Sequence, residues 1–103
     1  MKFMLKLTFA NPSANEKIKD PKFGENMGKI LEEIKAEAAY FGLIDGKRGG
    51  YIVINLNDAT DMVKVAEPLF LYLNADIDLL PVMSPQELGK AAPYMNQAVK
   101  NWG

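Results

Sequence analysis

Acid–base chemistry in this chain must rest on lysine, carboxylate and tyrosine side chains, because its 103 residues include neither histidine nor cysteine. Lys6 stands in an alternating run, Lys2-Phe3-Met4-Leu5-Lys6-Leu7-Thr8-Phe9, and Asp76 and Asp78 stand in another, Asp76-Ile77-Asp78-Leu79-Leu80. Period two puts every second residue on one face of a strand. If the two strands pair antiparallel with Lys6 opposite Asp78, Met4 meets Leu80 and Thr8 meets Asp76. An ammonium so placed binds a carboxylate or an enolate while an aspartate moves a proton, which makes Lys6, Asp76 and Asp78 the candidate catalytic set. The same residues also read as a cross-strand ion pair that holds register. Desolvation would then offset much of the attraction.

The candidate ligand-binding residues are Met4, Tyr40, Tyr51, Val53, Asn55, Tyr72 and Leu80. Tyr51 and Asn55 share the face of Val53 by parity, and Met4 and Leu80 lie beside the proposed charge pair. Tyrosines at strand ends also serve as packing residues with a solvated hydroxyl. For Tyr72 the plain structural reading is a plug at the end of a helix.

Composition narrows the chemistry further. Lack of cysteine excludes disulfide scaffolds, thiol catalysis and Cys-ligated zinc or iron–sulfur centres. Lack of histidine excludes Ser–His and Cys–His dyads and His-ligated haem. With 12 basic and 13 acidic residues, a net charge of −1 gives no field to gather nucleic acid or anionic lipid. The start, Met1 to Leu7, is too short an apolar run for a signal peptide, and no stretch approaches the ~18 apolar residues of a membrane span. A cytoplasmic location is the expectation, with one domain over residues 1–103.

The elements that must carry these residues follow from periodicity. A first strand spans the Lys2–Phe9 run. Ala10 to Lys22, with Asn11-Pro12 and Asp20-Pro21, reads as a long loop able to act as a lid. Phe23, Met27, Ile30, Leu31, Ile34 and Ala38 follow at helical spacing. Aromatic and β-branched runs on either side of Asp45-Gly46 predict a hairpin. Asp58 is the expected N-cap of a second helix through Leu73, with Pro68 inside it. The Asp76 strand comes next. Ser84-Pro85-Gln86-Glu87 then supplies a capping box for a terminal helix with the stripe Leu88, Ala91, Ala92, Met95, Val99 and Trp102, interrupted or bent at Pro93.

That order, β-α-β-β-α-β plus a C-terminal helix, predicts an α+β sandwich with a four-stranded antiparallel sheet of spatial order 2-3-1-4. Phe3, Leu5, Leu7, Phe9, Ile52, Ile54, Leu56, Ile77 and Leu79 should face the helices. The opposite face mixes charge with Met4, Val53, Leu80 and Val82, a patch that needs a cover. Either the terminal helix covers it or a second subunit does, sheet facing sheet. The second is preferred.

The element order and mixed open face resemble the dimeric α/β-barrel superfamily of ferredoxin-like proteins. Pro68-Leu69-Phe70-Leu71-Tyr72 followed by Asn74-Ala75-Asp76-Ile77-Asp78-Leu79-Leu80 is similar to a segment of the muconolactone isomerases. Uncharacterised members of the superfamily look closer still over the whole chain. The resemblance implies a homodimer, or a higher oligomer, enclosing a cavity for a small organic ligand. It further implies isomerase- or monooxygenase-like chemistry that uses no cofactor and no metal. A non-catalytic binding protein or a purely structural dimer is the alternative. The haem-degrading branch is set aside for want of histidine. An RNA-recognition domain of the same topology is rejected for want of aromatics on its first strand. Gly46 to Gly50 joins two strands and is no phosphate loop.

Overall fold

The computed structural model describes residues 1–103. Its central strand, β1 (Lys2–Phe9), shows the expected alternation: Leu5, Leu7 and Phe9 are buried, and Lys2, Met4, Lys6 and Thr8 are half-buried on the other side. Together with β2 (Ala38–Ile44), β3 (Lys47–Asn55) and β4 (Ala75–Pro81) it forms one antiparallel sheet of order β2-β3-β1-β4, the ferredoxin-like arrangement. Lys6 pairs with Asp78, Met4 with Leu80 and Thr8 with Asp76, as the alternation requires. The core lies on one face, where Leu5, Leu7, Ile52 and Ile54 meet Met27 and Ile30 of α2 (Phe23–Glu33) and Val65, Leu69 and Leu73 of α3 (Asp61–Leu73).

The stretch read as a loop is largely helical. Asn11–Lys19 forms α1, with Pro12 in its first turn, where a missing N–H costs nothing. Only Ala14 of this helix is buried, so it had no apolar stripe to reveal it. It packs against α2, α3 and β3 on the helical side and does not close over the open face. Helix α2 ends sooner than the spacing suggested. Lys35 turns left-handed at φ 54°, and Ala38 already begins β2.

Asp45 and Gly46, both at positive φ, make a two-residue turn of the kind that matches strand twist. Asp58 is not the cap of α3. Its Oδ1 accepts from the backbone N–H and hydroxyl of Thr60, both at 2.9 Å, and so holds the turn before the helix. The helix then starts at Asp61, whose Oδ2 accepts from the backbone of Asn57 and Asp58 at 3.0 and 3.1 Å.

Beyond β4 the terminal segment is two helices, α4 (Pro85–Lys90) and α5 (Ala92–Trp102). The capping box of Ser84 and Glu87 is present, and Pro93 sits in the first turn of α5. Neither helix contains a buried residue, so the terminal helix does not cover the sheet within one chain. No helix is long and apolar enough to cross a membrane.

The β2–β3 hairpin depends on Gly49 and Gly50. A Cβ at Gly49 would lie 2.4 Å from the Leu7 carbonyl oxygen, and one at Gly50 would lie 2.8 Å from that of Tyr40. Gly49→Ala is expected to destabilise by about 1–3 kcal/mol in urea unfolding, as overpacking against backbone does. Gly28→Ala, in open space on α2, should instead stabilise by about 0.5–1 kcal/mol.

Candidate functional site

The register places the candidate residues in rows across the open face. One row runs Tyr40, Tyr51, Lys6, Asp78 through all four strands, and the next runs Ala38, Val53, Met4, Leu80. A third holds Gly42, Gly49, Thr8 and Asp76. Neighbours within a row are about 4.5–5.5 Å apart at Cβ, close enough for one small molecule to touch several of them. Of the ten candidates, nine therefore share this face: Lys6, Asp76, Asp78, Met4, Tyr40, Tyr51, Val53, Asn55 and Leu80.

Tyr72 does not join them. It lies in the helical layer, where its ring stacks on Phe23 at 6.3 Å between centroids, its hydroxyl accepts from Asn26 at 3.2 Å, and Lys17 Nζ sits 4.4 Å above it. These contacts make it a packing residue between α1, α2 and α3. The motif similarity around Pro68 drew attention to a residue that faces away from the sheet's open side.

The ion pair of Lys6 is also corrected. Asp78 is its register partner, but the Lys6 ammonium donates to Asp45 Oδ2 at 2.7 Å. In a straight hairpin Asp45 would lie about 16 Å along the strands from the Tyr40 row, beyond the reach of a lysine. The hairpin must bend over the open face, and the glycines at 49 and 50 allow the close backbone approach this requires. Asp45 carried a turn signal in the sequence and nothing that linked it to Lys6.

The electrostatics follow from that contact. The hydrogen bond to Asp45 holds Lys6 above its ordinary pKa against some desolvation, with Tyr51 and Asp78 adding smaller contributions. The same bond, then the ammonium charge, holds Asp45 below its ordinary value. Lys6 is therefore a permanent cation near neutrality. It suits anion binding and not proton abstraction. At the end of the face, Asn55 donates to Glu37, and Lys2 pairs with Glu37 at 3.0 Å. Glu37 is held below its ordinary pKa first by Asn55 and then by Lys2.

The open face is a surface, not a pocket: no concavity of the single chain is lined by Lys6, Asp76, Asp78, Tyr40, Tyr51, Met4, Val53 or Leu80. No group of three or more acidic side chains is placed to hold a metal ion. One apolar slot of about 310 Å³ lies on the helical side, at the β2 edge, among Phe9, Ile18, Phe23, Met27 and Phe41. Arg48 lines it and is tethered to Asn15 at 2.8 Å. Composition alone did not suggest this slot, because its walls come from five separate elements.

The Lys6–Asp45 contact has a defined pH window. Asp45 contributes stability above its unfolded pKa that is lost as pH falls through its lowered folded value. Lys6 contributes stability below its unfolded pKa that is lost as pH rises through its raised one. In a carbon-13 titration the Asp45 carboxyl should have a depressed midpoint. Lys6→Met should raise it toward the ordinary aspartate range. An unchanged midpoint in that variant would show that the contact is not formed in solution.

No curated protein matches the sequence. A solved structure, the "De novo designed protein Ferredog-Diesel", is similar at 11% identity with a TM-score of 0.46, covering 79% of this chain and 85% of that one. The family described as "Domain of unknown function (DUF3303)" matches residues 1–96. The chain belongs to that family.

Proposed function

We propose that two copies of this chain pack with their open faces together and enclose a cavity for a small organic anion, in the manner of the dimeric α/β barrels. One observation carries the reading. The face that presents Lys6 also presents Tyr40, Tyr51 and Leu80 to solvent, and nothing in the same chain covers it. Large side chains with apolar bodies around the Lys6 cation make a costly exterior and a serviceable cavity lining. The domain over residues 1–103 is then one half of the site, and the cytoplasm is its compartment.

The cation of this site is already matched by an internal carboxylate. Asp45 occupies the position that a ligand carboxylate or enolate would take on Lys6, so ligand entry displaces the β2–β3 turn. Within the closed dimer a carboxylate-bearing substrate would bind Lys6. Asp76 or Asp78 would take a proton from the adjacent carbon and return it at another, an isomerisation that is balanced without redox partner or cofactor. Tyr40, Tyr51, Val53, Met4 and Leu80 would shape the pocket, and Asn55 would close one end.

The muconolactone-isomerase-like similarity of the β4 segment supports isomerase-type turnover over monooxygenase-like chemistry. A cavity that binds and does not turn over is the competing outcome. Light scattering at micromolar concentration should give a dimer, and native mass spectrometry should retain a small anionic molecule. Lys6→Met should lower carboxylate binding by about tenfold or more, the loss of one charged contact, with the melting transition within a few degrees of the parent. A monomer, or a dimer whose carboxylate affinity ignores Lys6, would refute the reading. Binding intact but no proton exchange at the bound ligand would leave the sensing or sequestering alternative.

A further inference from the structure

The terminal helices are out of proportion to the rest of the molecule. A compact chain of this length has a radius of gyration of about 13 Å, whereas this one has 17.1 Å and measures 58 × 27 × 21 Å. A compact chain of this mass exposes about 5,800 Å², against 7229 Å² here. The excess, about 1,400 Å² per chain, matches what one partner contributes to a large, permanent interface. The arm α4–α5 has no buried residue: along its stripe Leu88 and Met95 are half-exposed, and Val99 and Trp102 are largely in solvent, Trp102 at 89%. An isolated helix of 11 residues is marginal in water, so this stripe has to be buried against something.

The second unpartnered surface lies at the other edge of the sheet. Strand β2 carries no charged residue, and its Tyr40, Phe41 and Leu43 are 72%, 53% and 86% exposed. An apolar edge strand of that kind invites association unless a helix covers it. The slot beside Phe41 opens at this same edge. The arm leaves from β4, three strand spacings or about 14 Å away, and extends away from the sheet.

Two copies related by a two-fold axis parallel to the strands place the β4 edge of one over the β2 edge of its partner. The two helices of the arm span about 25 Å, enough to run along that edge. Each chain then supplies the cover that the other lacks, and the exchange closes after two copies.

We propose that α4–α5 of each protomer clasps the β2 edge of its partner, with Trp102 seated in the partner's apolar slot beside Phe41. The occupant is thus a second copy of this chain, and Arg48 at the slot would flank the indole face. The clasp rests on the dimer reading above and adds to it that the site is sealed in trans at both ends.

Trp102 is the only tryptophan, so its emission reports the contact directly. In the parent dimer the emission should be blue-shifted and protected from acrylamide, despite the full exposure of Trp102 in a single chain. Phe41→Asp damages the slot and keeps the arm; Trp102→Ala removes the anchor and keeps the slot. Both changes lie on the surface and leave the core intact. Each should weaken self-association by about 30-fold or more, as loss of an interface anchor does. Mixing the two variants should restore blue-shifted emission, because the indole of one then finds the intact slot of the other. A dimer with solvated Trp102 would overturn the clasp and leave the facing-sheet reading standing. A protected Trp102 in the Phe41→Asp variant, or no recovery on mixing, would also overturn it. A monomer would overturn both.

Discussion

Strand β1 is the constraint on which the remaining geometry depends. It is hydrogen-bonded on both sides, and its Leu5 and Leu7 are fully excluded from water. Slipping its pairing by one residue would drive Lys6 into the core and expose Leu5, a change that costs several kcal/mol for the leucine and more for the charge. That penalty locks the rows of the open face. Tyr40, Tyr51, Lys6 and Asp78 are aligned because leucines on the reverse side of β1 must stay dry.

Upon this frame the hairpin adds a second, longer-range arrangement. Two glycines with no space for a Cβ let the β2–β3 ribbon approach neighbouring backbone closely, and the turn residue Asp45 arrives at the Lys6 ammonium. The result is a cation kept charged and already partnered by a carboxylate of the same chain. Both side chains are partly in water, so the contact contributes little to holding the fold together.

Apolar surface is distributed unevenly. The sheet's helical face is closed by α2 and α3, while the open face, the β2 edge and the terminal arm all remain bare. Each of these three surfaces is apolar and lacks a cover within the chain: a sheet face, a sheet edge and a helical stripe. Their coexistence in one chain is what the proposed site and the proposed clasp both rest on.

Strand order, sheet topology and the pairing of Lys6 with Asp78 are legible in the sequence, because period-two alternation and an Asp-Gly turn are local signals with a single packing solution. So was the limit on chemistry, since absent histidine and cysteine remain absent in any fold. Helix α1 was missed because it buries one alanine and so leaves no periodic trace. Asp58 falls two residues short of the N-cap position, Thr60, because its carboxylate is taken up by the Thr60 backbone and hydroxyl in the turn before the helix, a local choice that only the folded turn makes. Tyr72 left the site because a motif places a residue along the chain and not on a side of the sheet. The partner of Lys6 was decided in three dimensions. A lysine bonds to whichever carboxylate comes within reach, and here the coiling of a glycine-bearing hairpin, an effect with no local pattern, brought Asp45.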